Sequence, residues 1–240
     1  MNIQTTDKFL DSYGIKMLLV GESGSGKTRS VATLQKAGYK PLLISAESGV
    51  RSLAGNPIPM IDISKNDKGE DLPMEKRFDR LGEVYAWLKK GQSEYDTIFV
   101  DSLTEINAAL IIQLKQEIPD AKDTLKVYMA NSEKMVKLVR AFRDLPYNVV
   151  LVSLSEVEKD ELGKRFTTAS VVGKVAQHLP ALMDEVIHIQ VVEDENKKIS
   201  RRFQCGASSG IVCKDRSGML NTFEPADLGQ LFNKILGKNK

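Results

Sequence analysis

Gly21-Glu22-Ser23-Gly24-Ser25-Gly26-Lys27-Thr28 brings together three glycines, a mobile cation and a hydroxyl. Glycines let a backbone wrap tightly and turn its N–H groups toward an anion. The order GxxxxGK[ST] is a phosphate-cradling loop, in which the lysine reaches the β- and γ-phosphates and the hydroxyl meets Mg²⁺. Such a loop works only between a strand and a helix. The apolar run Met17-Leu18-Leu19-Val20 precedes it, and Thr28–Ala37 reads as a helix stopped by Gly38. ATP and Mg²⁺ are therefore the expected cofactors.

Mg²⁺ needs a carboxylate as well. Thr97-Ile98-Phe99-Val100 is an apolar strand that delivers Asp101 at its C-terminal end, where parallel strands open onto a ligand crevice. Asp101 could instead cap the next helix, but Ser102 can serve there. Thr28 and Asp101 are the expected metal pair. Hydrolysis also needs a group that orients water. Many ATPases place a glutamate directly after this aspartate, and here Ser102 stands in that place. Leu42-Leu43-Ile44-Ser45-Ala46-Glu47 offers another, because Glu47 follows a second buried strand. Its alternative reading is a solvated loop carboxylate beside a short helix at Val50–Leu53.

The elements that must hold these residues read as an α/β fold, a mostly parallel central sheet flanked by helices. Expected strands are Lys16–Val20, Pro41–Ser45, Ile58–Ile63, Thr97–Val100, Asn148–Ser153 and Glu185–Val192. Expected helices are Thr28–Ala37, Met74–Lys90, Leu103–Gln116, Asp123–Leu145, Val172–Leu179 and Ala226–Leu236. Ser64–Pro73 and Glu156–Thr168 read as exposed loops or hairpins, and residues 199–216 as a C-terminal β-hairpin turning at Gly206 to Gly210. No linker divides the 240 residues, so one domain is expected. The 73-residue separation of Thr28 and Asp101 leaves room for strands between them, which points to the ATPase branch with an extra strand beside the phosphate-loop strand. A guanine-reading NKxD is absent.

Composition excludes other classes. With 42% hydrophobic and 28% charged residues, the chain is neither disordered nor membrane-spanning. Its start lacks a secretory pattern, and two cysteines make no disulfide framework, so reduced thiols and a cytoplasmic location are expected. His178 and His188 lack metal-ligand spacing, and Trp87 reads as core. The net charge of +2 is uneven: residues 196–240 carry +6 and the remainder −4. That imbalance fits a phosphate-bearing partner or a solvated surface.

A phosphate loop, a second strand ending in Glu47 and an Asp101 strand without a following glutamate resemble the RecA-type recombinase and DnaB-type helicase ATPases. The whole chain more closely resembles the small phage-borne RecA-like single-strand annealing recombinases (Sak-type). The matching stretches are Ala46 to Leu53, Val100 to Glu105, Gly163 to Thr168, Leu179 to Val186 and Lys214-Asp215-Arg216-Ser217-Gly218. The resemblance implies an ATPase, DNA-stimulated and homo-oligomeric as a filament or ring, that binds single-stranded DNA. A single-strand-binding protein is a further candidate partner.

Within that resemblance, Lys214 and Arg216 look like the pair that reaches a neighbouring subunit's γ-phosphate. Both project to one side of a strand, which fits that role or a solvated basic strand. Lys164, Arg165 and Phe166 match a DNA-facing loop, cations for phosphate and a ring for base stacking, although nearby acids from Glu156 to Glu161 oppose them. Lys197, Lys198, Arg201 and Arg202 form a second basic group. The sensor expected after the fifth strand is replaced by Ser153-Leu154-Ser155. Phe9, Leu10 and Tyr13, within Asp7–Tyr13, could dock on a neighbour or cap the sheet. Rival readings are a helicase or helicase-loader-like motor, a small-molecule kinase and a non-hydrolysing interaction module.

Overall fold

The fold rests on apolar runs too continuous to face water on either side. In β1 (Lys16–Gly21) all six residues are buried, and in β2 (Pro41–Ser45) and β4 (Thr97–Asp101) all five are. Strands of this kind are stable only with a layer on each face. The computed structural model describes residues 5–6, 13–47, 49–92, 94–118, 124–159, 163, 165–172, 175–208 and 210–238. Lys164 and the docking segment before Tyr13, including Phe9 and Leu10, lie outside them.

The remaining strands are β3 (Met60–Asp62), β5 (Asn148–Lys159), β6 (Arg165–Ala169), β7 (Glu185–Glu193), β8 (Ile199–Gln204), β9 (Lys214–Asp215) and β10 (Phe223–Pro225). They form one sheet in the order β10-β8-β7-β1-β5-β4-β2-β3, with β6 on β5 and β9 on β7. The pairs from β3 across to β7 are all parallel. The extra strand expected beside β1 is β5, which separates β1 from β4.

The described helices are α1 (Val31–Lys36), α2 (Arg77–Lys89), α3 (Leu103–Glu117), α4 (Thr124–Arg143), α5 (Val175–Leu182) and α6 (Leu228–Ile235). Alternation along β1 sorts the core. Met17 and Leu19 face a cluster with Val31, Leu34, Leu228 and Phe232 of α1 and α6. Leu18 and Val20 face a larger one containing Leu81, Ile106, Val139 and Leu179 of α2 to α5. Phe232 is fully buried with its ring edge-on to Tyr39 at 5.4 Å, and truncating such a side chain costs about 3–5 kcal/mol. Thus α6 is clamped onto the helix that carries the phosphate loop.

Several boundaries differ from expectation for local reasons. β3 begins at Met60 rather than Ile58, because Pro59 has no N–H for a ladder. The first turn after the phosphate loop, Thr28–Ser30, is a 3₁₀ turn before α1, and Met74–Lys76 is one before α2. β5 continues to Lys159 and pairs antiparallel with β6, so Glu156–Thr168 belongs to a hairpin. The C-terminal hairpin is present, but its strands are β7 and β8. Its turn lies at Asp194–Lys198, where the Asp194 carboxylate accepts from the Asn196 and Lys198 amides. The turn expected at Gly206 to Gly210 instead leads from β8 to β9, which returns to the start of β7. No described helix is long and apolar enough to cross a membrane.

Candidate active site

The parallel register brings β1, β2 and β4 to the same edge, and the phosphate loop leaves from there. Gly21 ends β1 opposite Ile189 of β7. A Cβ on Gly21 would meet the Ile189 side chain at 2.4 Å and the Ser25 hydroxyl at 2.8 Å, so only glycine lets the loop leave the sheet here. Gly26, at φ +103°, turns the chain into the helix. Ser25 is buried, and its hydroxyl has no hydrogen-bond partner among the described residues. A buried polar atom without a partner is costly, and a ligand oxygen would satisfy this one.

Lys27 is 8% exposed and folds back across the loop, donating to the carbonyls of Gly21 at 2.9 Å and Glu22 at 2.8 Å. Burial pulls its pKa down against the opposing charges of Asp101, Glu47 and Glu22. The Thr28 hydroxyl donates to Asp101 Oδ2 at 2.5 Å. Asp101 is buried at the end of β4, and that burial, helped by the charge of Glu47, pushes its carboxyl up to about 6 against the Thr28 bond and Lys27. Ser45 lies in register with Asp101, and the Ala46 amide donates to the Asp101 carbonyl at 2.6 Å. The next residue is Glu47, whose Oε1 accepts from the Ser102 hydroxyl at 2.5 Å. Ser102 is also the N-cap of α3, accepting from the Glu105 amide at 3.4 Å, which leaves Asp101 free of that task.

Lys27, Thr28, Asp101 and Glu47 therefore converge at one end of the sheet. Lys214 and Arg216 do not join them. β9 pairs with Glu185 and Val186 at the other end of β7, away from the phosphate loop of its own chain. The Lys214 ammonium donates to the carbonyls of Pro180 at 3.1 Å and Met183 at 2.8 Å, closing the end of α5. Arg216 is paired with Asp184 at 2.5 Å. Ser153 is buried beside Val20, and its hydroxyl lies 3.2 Å from that of Thr104 on α3 and donates to the Leu154 carbonyl at 3.0 Å. His188 is held by the Val212 carbonyl at 3.1 Å, and burial lowers its pKa to about 4, as a structural histidine requires. Cys205 and Cys213 are free thiols.

In the β5–β6 hairpin, Arg165 stands opposite Lys159 and Phe166 opposite Glu158. Alternation places Lys159, Arg165 and Val157 on one face, and Glu156, Glu158 and Phe166 on the other. Of the acids that oppose the cations in sequence, Glu156 and Glu158 thereby lie on the opposite face.

The AAA_24 family, described as an AAA domain, matches residues 13–217. The chain belongs to this family. The chain is accordingly a P-loop ATPase, on a mostly parallel sheet flanked by helices. No curated protein matches it. Among solved structures it is similar to the crystal structure of the RadB recombinase, at 12% identity and a TM-score of 0.43, over 83% of this chain and 90% of that one.

Two residues of the AAA_24 site escaped the sequence reading. Ser102 was expected only as a cap, yet its hydroxyl also holds Glu47. Arg201 reads in the sequence as part of a second basic group, yet its Nε donates to the Ser25 carbonyl at 2.9 Å across 176 residues of chain. A Cβ on Gly26 would come within 3.3 Å of that arginine. The alternation Ile199, Arg201, Phe203 was the available signal, since it puts Arg201 on the face of buried Phe203. The glycine cradle, the orphaned Ser25 hydroxyl and the Thr28–Asp101 pair fit a nucleotide phosphate chain and Mg²⁺.

Proposed function

We propose that this chain hydrolyses ATP and couples turnover to single-stranded DNA, promoting annealing or strand pairing as the phage RecA-like recombinases do. The observation that carries the hydrolytic half is the meeting of Glu47 and Asp101 on adjacent strand ends beside Lys27 and Thr28. In this reading Gly21 to Thr28 hold the phosphates, while Thr28 and Asp101 hold Mg²⁺, which would neutralise developing phosphate charge. Glu47 orients the attacking water and accepts its proton. Ser102 is a positioning residue that holds one oxygen of that carboxylate. Lys214 and Arg216, remote from their own phosphate loop, complete the site of a neighbouring copy in a filament or ring.

The DNA half is supported by the β5–β6 hairpin. Like charges directly opposite across a sheet repel, so the Lys159–Arg165 pair gains from an anionic partner. β5 extends past Ser153 from the phosphate-loop end of the sheet, so strand binding there lies close to the nucleotide.

ATP turnover and fluorescence anisotropy of a labelled single strand, at low salt with Mg²⁺, test both halves. Glu47→Gln is expected to keep ATP binding and slow turnover by ~10²–10⁴-fold. Single-strand binding is expected to require nucleotide and to fall steeply with salt, with Lys159→Ala plus Arg165→Ala flattening the slope. Normal turnover in Glu47→Gln sinks the hydrolytic assignment. Absence of binding at low salt sinks the DNA assignment alone.

A further inference from the structure

The two arginines of β8 do different things. Arg202 faces away from the phosphate loop and stacks on the Phe223 ring at 3.8 Å. Arg201, of opposite parity, reaches the loop because β7 and β8 outrun β1. Gly21, the last residue of β1, is level with Ile189, whereas Arg201 stands opposite Val191, two residues further on. Its side chain lies over Gly26, where a Cβ would come within 3.2 Å of the Arg201 Nε and 3.3 Å of its Cδ. The Nε donates to the Ser25 carbonyl at 2.9 Å, and no other donor reaches that carbonyl among the described residues.

The planarity of the peptide gives this bond a consequence. In a trans peptide the Ser25 C=O and the Gly26 N–H point in opposite directions. Drawing the carbonyl toward β8 therefore turns the Gly26 N–H away from β8. The sheet order places Asp101 of β4 and Glu47, which follows β2, on that other side. The Gly26 amide makes no hydrogen bond among the described residues, so it is open to an anion there. Glycine accepts either sign of φ, and Gly26 sits at +103°, so its own conformational preference does not hold the peptide this way round. An external anchor does, and a guanidinium bond to a carbonyl is stronger than a neutral one.

We propose that Arg201 is a positioning residue for nucleotide binding: from β8 it fixes the Ser25–Gly26 peptide so that the Gly26 amide meets the phosphate chain. The role rests on the phosphate-loop reading of Gly21 to Thr28. It makes the β7–β8 hairpin a working part of the ATPase site, since the shape of the loop depends on a residue of that hairpin.

Calorimetric titration of ATP, ADP and inorganic tripolyphosphate in Mg²⁺ tests it. Arg201 is exposed, so Arg201→Ala is expected to fold, which a thermal melt checks. That variant is expected to bind all three ligands about tenfold more weakly, the scale of one hydrogen bond made by a charged group. Arg201→Lys, which keeps a charged donor on a stem of similar length, is expected to recover most of the loss. Equal affinities in wild type and Arg201→Ala overturn the role. So does a loss for ATP without one for ADP, which would put Arg201 on the γ-phosphate, or a loss for both nucleotides without one for tripolyphosphate, which would put it on the nucleoside. If wild type binds none of the three, the phosphate-loop reading itself has failed and the role falls with it, a result distinct from failure of Arg201 alone.

Discussion

At the C-terminal ends of the parallel strands, Lys27 donates to two backbone carbonyls. At their N-terminal ends Lys16 does the same, to Leu145 at 2.8 Å and Tyr147 at 2.6 Å. Both side chains are buried, and burial lowers both pKa values, that of Lys16 to about 8. Their surroundings separate them. Lys27 sits beside an unpartnered serine hydroxyl and two carboxylates that crowd one another. Lys16 lies under the Tyr13 ring at 4.7 Å, tying β1 to the loop that enters β5. Burial alone does not mark a working cation. What marks it is unsatisfied chemistry next to it, which a ligand would complete.

The largest effect that would break this contrast is in turnover. Lys27→Ala is expected to abolish hydrolysis, because the cation that would meet the β- and γ-phosphates is removed. Arg216→Ala, at the other end, is also expected to lower turnover if that end serves a neighbour. Mixing the two variants should then raise activity above the sum of the separate proteins, since some interfaces join an intact phosphate loop to an intact Arg216. Steady-state ATPase assays of the mixture decide it. No recovery in co-assembled protein removes Arg216 from the site.

Lys16→Ala should act on stability instead. Emptying a buried long side chain costs about 2–5 kcal/mol, and Lys16→Met, which keeps the volume, should recover most of that. Nucleotide affinity of the folded fraction should not change in either variant. Thermal melts with and without ATP separate the two lysines, and a loss of affinity in Lys16→Met would blur the distinction.

The smallest effect concerns the acid at the Lys16 end. Glu185 is buried, one of its oxygens has no partner among the described residues, and burial together with Asp215 pushes its pKa from 4.5 up to about 8. A carboxyl with a raised folded pKa is held protonated, so the native state loses stability as pH rises from about 4.5 to about 8. Glu185→Gln keeps the shape without the charge. It should flatten this part of the stability curve and raise the melting temperature at pH 8 by a few degrees, on the order of 2–4 °C per kcal/mol at this size. An unchanged pH profile would show that Glu185 ionises without cost.

Sequence alone determined the phosphate loop, because its chemistry is local: glycines, a lysine and a threonine must be consecutive to wrap a phosphate. It also determined the central strands, since runs such as Leu42-Leu43-Ile44 can satisfy their burial only inside a covered parallel sheet. Asp101 and Glu47 were legible as strand-end acids, but only the β2–β4 register brings them together. The Arg201–Ser25 contact, the Glu47–Ser102 bond and the separation of Lys159 and Arg165 from Glu156 and Glu158 were decided by tertiary structure. Each depends on which strand lies beside which and on the parity of their pairing, where a slip of one residue turns every side chain to the opposite face. The turn of the C-terminal hairpin was misplaced for the same reason. The alternation of residues 199–204 identifies a strand, but not that its partner is β7, because pairing is settled by burial of Phe203 against Ile189 and the phosphate-loop helix rather than by its own sequence.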